Sequence, residues 1–208
     1  MSKITNTGVH IVEAAAAAGD TAGEGQIWVK NDTPSSLYYT DDAGTDFKIG
    51  WTVTAENTTT GGTSIDFTGI PAGIQYLVVM WNAVAGSGSS FKLLQLGDSG
   101  GIENSGYVSV GQQMTSGANY GTSSTAGFLL RDNDSAERIS GHFILTLEDA
   151  SANTWTCSHS MITSVVAGQS YVGAGAKSLS GTLDRVRMTT VNGSDTYAVN
   201  GGINIAFT

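Results

Sequence analysis

The chain predicts an all-β protein: an antiparallel, jelly-roll-like β-sandwich over residues 51–208, preceded over 1–50 by a small β-hairpin segment for oligomerisation or attachment. Three observations carry the all-β reading and are the signature of an antiparallel sandwich or barrel. Short apolar runs recur between polar turn clusters, 28 Gly stand against only 2 Pro, and no long amphipathic helical period appears after Trp51.

In chain order, residues 12–18 form an Ala-rich run closed by Gly19, the one place of strong helix propensity, and predict at most two helical turns. Residues 26–30 (QIWVK) then read as a strand, Asn31, Asp32 and Pro34 as a turn, and 37–40 as the return strand. A second turn, 41–44, leads into 46–49. A segment of this size buries only about 60% of its unfolded surface, which is marginal for independent folding. It nevertheless carries Trp28, Tyr38, Tyr39 and Phe47, so these four rings are expected at an interface with other copies of the chain.

The sandwich strands are expected at 63–67, 75–81, 91–96, 126–131, 141–147, 154–158, 177–183, 186–191 and 203–207. Around 64–67, 184–188 and 200–207 apolar and polar residues alternate, which buries one face and wets the other. Residues 76–81 (YLVVMW) are continuously apolar and predict a central strand covered on one side by the opposing sheet, on the other by a neighbouring subunit or a loop. The Gly/Ser/Thr/Asn stretches 86–90 and 115–125 read as loops, as does 173–178. Tyr107, Tyr120 and Tyr171 are placed in such loops, as rings on which a sugar could stack.

Composition narrows the function. Only 13% of residues are charged, and 18 acidic side chains against 9 basic give a net charge of −9, which argues against a nucleic-acid partner. The single Cys157 permits no intrachain disulfide. The amino-terminal twenty residues lack an apolar core and carry Glu13, so neither a signal peptide nor a membrane insertion is expected.

Several motifs resemble catalytic or binding signatures without their context. Residues 97–101 spell GDSGG, yet only His10 precedes Ser99, so a serine-protease triad is not expected and a Gly-rich turn capped by Asp98 is. Residues 41–46 (DDAGTD) lack the alternate ligands and closing Glu of a calcium hand, and read as a β-turn. Residues 173–178 (GAGAKS) lack the Gly before the Lys that a phosphate loop needs. Cys157 and His159 share one strand face but are two ligands where structural zinc takes four. The acid pairs Asp98 with Glu103, Asp132 or Asp134 with Glu137, and Glu148 with Asp149 could serve glycoside hydrolysis only at the right separation. No cofactor, metal or catalytic residue is assigned.

The run GQIWVKNDTPSSLYYTDDAGTDFKIG resembles a segment of fibre and other structural proteins of tailed bacteriophages. The stretches SIDFTGIPAGIQYLVVMWNAV, LLQLGDSGGIENSGYVS, STAGFLL and KSLSGTLDRVRMTTVNGSDTYAVNGGINI resemble the β-sandwich domain found in the same proteins. The resemblance implies a non-enzymatic virion protein: a homotrimeric head fibre, capsid decoration or short tail fibre. Its partners would be its own copies, other capsid or tail proteins, and a host surface glycan. The alternative is a carbohydrate-binding module for such a glycan.

Overall fold

The computed structural model describes every residue except 1, 2, 6, 7, 20–22, 136 and 165–168, and only the backbone of 3–5 and 8–10. The chain divides into two compact units, Met1–Thr52 with Thr208 and Val53–Phe207. No helix occurs among the described residues.

In the first unit β1 (Lys3–Thr5) and β2 (Gly8–His10) form an antiparallel pair. A four-stranded sheet follows in the order β3 (Glu13–Ala14), β4 (Gln26–Lys30), β5 (Ser36–Thr40) and β6 (Asp46–Lys48), parallel at β3–β4 and antiparallel beyond. The helix expected over 12–18 does not form. Seven residues are too few to offset helix nucleation, whereas the free edge of β4 offers immediate partners. Asn31 N–H donates to Ala14 O at 3.0 Å, and the Gln26 amide bonds both Ala18 N–H (3.0 Å) and Ala18 O (2.9 Å).

The second unit is the expected antiparallel sandwich. Its strands are β7 (Thr52–Val53), β8 (Asn57–Thr58), β9 (Ile65–Thr68), β10 (Tyr76–Val84), β11 (Lys92–Asp98), β12 (Gly101–Ile102), β13 (Val108–Met114), β14 (Asn119–Ser124), β15 (Phe128–Leu130), β16 (Ile139–Asp149), β17 (Thr154–Thr163), β18 (Ser170–Ser178), β19 (Arg185–Thr190) and β20 (Gly202–Phe207). A nine-stranded sheet runs β14-β13-β18-β17-β16-β10-β20-β7 with β8 also on β20, and a five-stranded sheet runs β12-β11-β19-β9 with β15 on β11. Period-two alternation turns Leu77, Val79, Trp81, Phe143, Leu145 and Ile203 of the larger sheet inward against Leu94, Leu96, Phe128, Val186 and Met188 of the smaller one.

Strand β10 takes the central place expected of it, between β16 and β20. Only its inner face is covered, however. Leu77, Val79 and Trp81 are buried, while Tyr76 is exposed and Val78 and Met80 are half-buried. Three further expectations are corrected. The strand placed at 177–183 lies earlier, as β18, and residues 179–184 form no strand. The 173–178 loop is therefore strand, and the 115–125 loop contains β14. In β18 glycine is required by packing, not by a turn: a side chain at Gly173 would run into the His159 ring and the Val110 carbonyl.

Candidate functional site

Alternation along the amino-terminal sheet sorts its aromatic side chains onto opposite faces. Trp28 opposes Tyr38, and Tyr38 opposes Lys48. On this face Trp28 stacks on Tyr38 with ring centroids 5.0 Å apart, its indole N–H donates to Thr40 Oγ1 at 2.8 Å, and the Thr40 hydroxyl donates to Asp46 Oδ1 at 2.5 Å. The Lys30 ammonium lies 5.6 Å from the Tyr38 ring centroid. Trp28 is only 7% exposed and Tyr38 is half-buried. One chain thus satisfies the Trp28 indole and covers its ring, which corrects the placing of Trp28 at an intersubunit face, while Tyr38 keeps part of its ring open.

The other face is different. Ile27 opposes Tyr39 and Tyr39 opposes Phe47, while Val29 opposes Leu37. Ile49 extends the patch, its N–H donating to Leu37 O at 2.8 Å. These positions carry no charge, yet Ile27 is 59% exposed and Tyr39 and Phe47 are each 41% exposed. Tyr39 and Phe47 stack on each other at 6.4 Å. A contiguous apolar patch on so small a sheet is the mark of an interaction surface. Of the four rings singled out in the sequence, Tyr39 and Phe47 lie on this open face; Ile27 and Ile49 were not identified from sequence, although the strand period already pairs them with those rings.

The three tyrosines assigned to ligand loops do not form a site. Tyr107 and Tyr171 are fully buried. The Tyr107 hydroxyl accepts from Leu96 N–H at 2.6 Å and donates to Glu103 O at 3.0 Å, and its ring meets Phe128 edge-on at 5.1 Å. Tyr171 lies in β18 and donates to Glu137. Tyr107 does lie in the loop before β13, but its ring turns into the core, and Tyr171 belongs to a strand, so neither ring is open to a ligand and the loop assignment is corrected for Tyr171. Tyr120 is 50% exposed but sits in β14, with the Arg131 guanidinium 5.1 Å from its ring centroid.

The Ser99 turn behaves as its sequence suggests. Asp98 accepts Gly100 N–H at 2.7 Å and the Ser180 hydroxyl at 2.7 Å, closing the β11–β12 hairpin. The Ser180 hydrogen bond, then that from Gly100, holds the Asp98 carboxyl below its ordinary range. Glu103 joins the cluster by accepting Ser180 N–H at 2.7 Å and pairing with Lys177. Burial works to raise the Glu103 carboxyl, but the bonds from Lys177 and Ser180 hold it low. His142 and His159 belong to the other sheet, on β16 and β17. The 41–46 run is a turn in which Asp41 Oδ1 accepts Ala43 N–H (3.0 Å) and Thr45 N–H (2.8 Å). Among the described residues no three His, Cys, Asp or Glu side chains gather as a metal site.

One acid pair does come together in the interior. Lys92 and Asp132, both essentially inaccessible, form an ion pair, and Glu137 accepts from Tyr171. Burial, reinforced by the charges of Asp132 and Asp134, pushes the Glu137 carboxyl up despite the Tyr171 hydrogen bond. A carboxyl pushed up by burial next to a second acid is a pattern of acid–base chemistry, but these side chains are enclosed. The arrangement tethers Asp132 to β11 and Glu137 to β18.

Cys157 and His159 both face the core, where burial pushes the Cys157 thiol up and the His159 imidazole down to about 4. This predicts an acid-sensitive fold. An unfolded histidine titrates near 6.5, so below that pH the unfolded chain takes up a proton that the native imidazole refuses until about pH 4. Stability should fall by about 2–3 kcal/mol between pH 7 and 4.5 from this group alone. Glu137 contributes with the opposite sign, and comparing variants cancels it. Urea midpoints of the parent chain and His159→Gln at both pH values should show the smaller acid loss in the variant; equal losses would contradict this.

Comparison with known protein families, curated proteins and solved structures finds no match.

Proposed function

We propose that this chain is a non-enzymatic structural protein of a tailed bacteriophage particle, a trimeric fibre or decoration protein. Its amino-terminal unit joins copies to one another and to other virion proteins, and its sandwich is displayed outward. The observation that carries the proposal is the uncovered face of Ile27, Tyr39 and Phe47: a sheet too small to bury its own rings presents them in one apolar patch, with Glu13 of β3 at its edge beside Val29. The resemblance of residues 25–50 to phage fibre segments supplies the setting. A charge-poor chain with 9 basic against 18 acidic side chains agrees with that setting, since such a balance does not favour a nucleic-acid partner. Glycan binding becomes the weaker reading, because only Tyr120 of its three rings reaches solvent.

The test of the setting is immunogold labelling of intact particles of the phage that encodes the chain, with an antibody raised against the Val53–Phe207 unit. Regular labelling at one particle feature is expected. Particles that contain none of the protein would overturn the virion assignment.

A further inference from the structure

The outer face of the nine-stranded sheet carries a second surface that the amino-terminal patch does not account for. Across this face one row of paired residues reads Val78, Ile144, Ser158, Ala174 and Val110. The next reads Met80, His142, Ser160, Val172 and Gln112. Following the same alternation, no outward position of β10, β13, β14, β17 or β18 is Lys, Arg, Asp or Glu, nor is any on β16 before its bulge at Leu147/Asp149. Several of these residues are apolar and open, Val108 at 74% exposure the most so. Charges lie at the margins: exposed Arg138 and Glu148 flank the ends of β16, and the Glu56 carboxylate lies against Gly202 at the β20 side. The outer face of the five-stranded sheet is built otherwise, with Arg187 bidentate to Asp66 at 2.7 and 2.6 Å.

A centre without Lys, Arg, Asp or Glu inside a charged margin is the anatomy of a protein interface. We infer that this face packs against the same domain of neighbouring copies, each copy turning it toward the symmetry axis of the oligomer. Three arguments select a second copy as occupant. The chain carries a net charge of −9, so copies meeting through acidic loops repel, whereas contact through this face sets no carboxylates against each other. Six strands at about 4.8 Å spacing, each with about four outward positions, give roughly 700 Å² of flat area, near the roughly 800 Å² per partner of a standard interface. Ser, Thr, Ala and Val side chains are short enough to let facing sheets approach to about 10 Å. The inference rests on the oligomer proposed above, which tethers the sandwiches at high effective concentration so that modest contact suffices.

The test uses the full chain, with Ser160→Cys at the centre of this face and, as a separate control, Thr68→Cys at the end of β9. Native Cys157 is buried and stays unreactive. In the oligomer the thiol at position 160 should react with a maleimide at least about tenfold more slowly than that at 68, and a short bis-maleimide should link copies through it. In parallel, Ile144→Glu should raise the concentration at which the oligomer dissociates about 100-fold, with an unchanged circular dichroism spectrum. An oligomer whose position 160 reacts as fast as position 68, and which tolerates Ile144→Glu, overturns this inference while leaving the amino-terminal assembly intact. A parent chain that sediments as a monomer overturns both.

Discussion

Replacing Tyr39 and Phe47 together by glutamate will leave the chain folded and take the proposed oligomer apart. Both rings lie on the open face of the amino-terminal sheet, Tyr39 between Ile27 and Phe47 in the ladder, and each keeps 41% of its surface exposed within one chain. Covering the exposed half of each ring is worth about 1 kcal/mol. Setting two carboxylates per copy against apolar neighbours adds several kcal/mol of opposing desolvation and repulsion, so the dissociation concentration should rise at least about 100-fold. Trp28→Ala should behave differently. Trp28 is stacked on Tyr38 and bonded to Thr40 inside its own sheet, so truncating it should cost about 3–5 kcal/mol of the unit's own folding. Sedimentation and circular dichroism separate the two variants. A double-glutamate chain that still assembles would place the copy–copy contact elsewhere.

The second large effect is expected in the sandwich. Asp132→Ala strands the Lys92 ammonium in an interior where it is essentially inaccessible, and breaking such a pair costs about 3–5 kcal/mol. Against a typical total of about 5–15 kcal/mol this lowers the melting temperature by roughly 10 °C. The double replacement Lys92→Met with Asp132→Leu removes both charges and should lose less than Asp132→Ala alone. Calorimetry reads this order directly, and a double variant less stable than the single one would show that the pair itself, not the avoidance of a lone charge, holds the segment.

The strands legible in the sequence are those whose alternation reports a dry and a wet face. Residues 65–68, 185–190 and 202–207 were found because Phe67, Val186, Met188 and Ile205 alternate with polar neighbours. Strands β13, β14 and β18 were not, for two physical reasons. Their inner positions include Gly111 and Gly173, where a side chain would meet the Leu129 carbonyl or the His159 ring, so the apolar signal is missing where burial is tightest. Their outer positions are mostly Ser, Ala, Val and Gln, with Met114, Asn119 and Gly121, instead of charged residues, so the polar half of the pattern is blurred as well. The same blurring marks the neutral outer face. In the amino-terminal unit the rings were found by composition, but their division into a closed and an open face depends on register. The sequence counted Trp28 with Phe47, whereas the ladder puts them on opposite sides. Tyr171 is misread as loop because its strand is Gly-rich, whereas Tyr107 does lie in a loop and only its inward ring goes unread.

The central claim is that other copies of this chain cover the open amino-terminal face. Sedimentation equilibrium of the full chain at micromolar concentration tests it most directly. The account predicts a single species of three times the 21.4 kDa chain mass; a folded monomer at that concentration would contradict it.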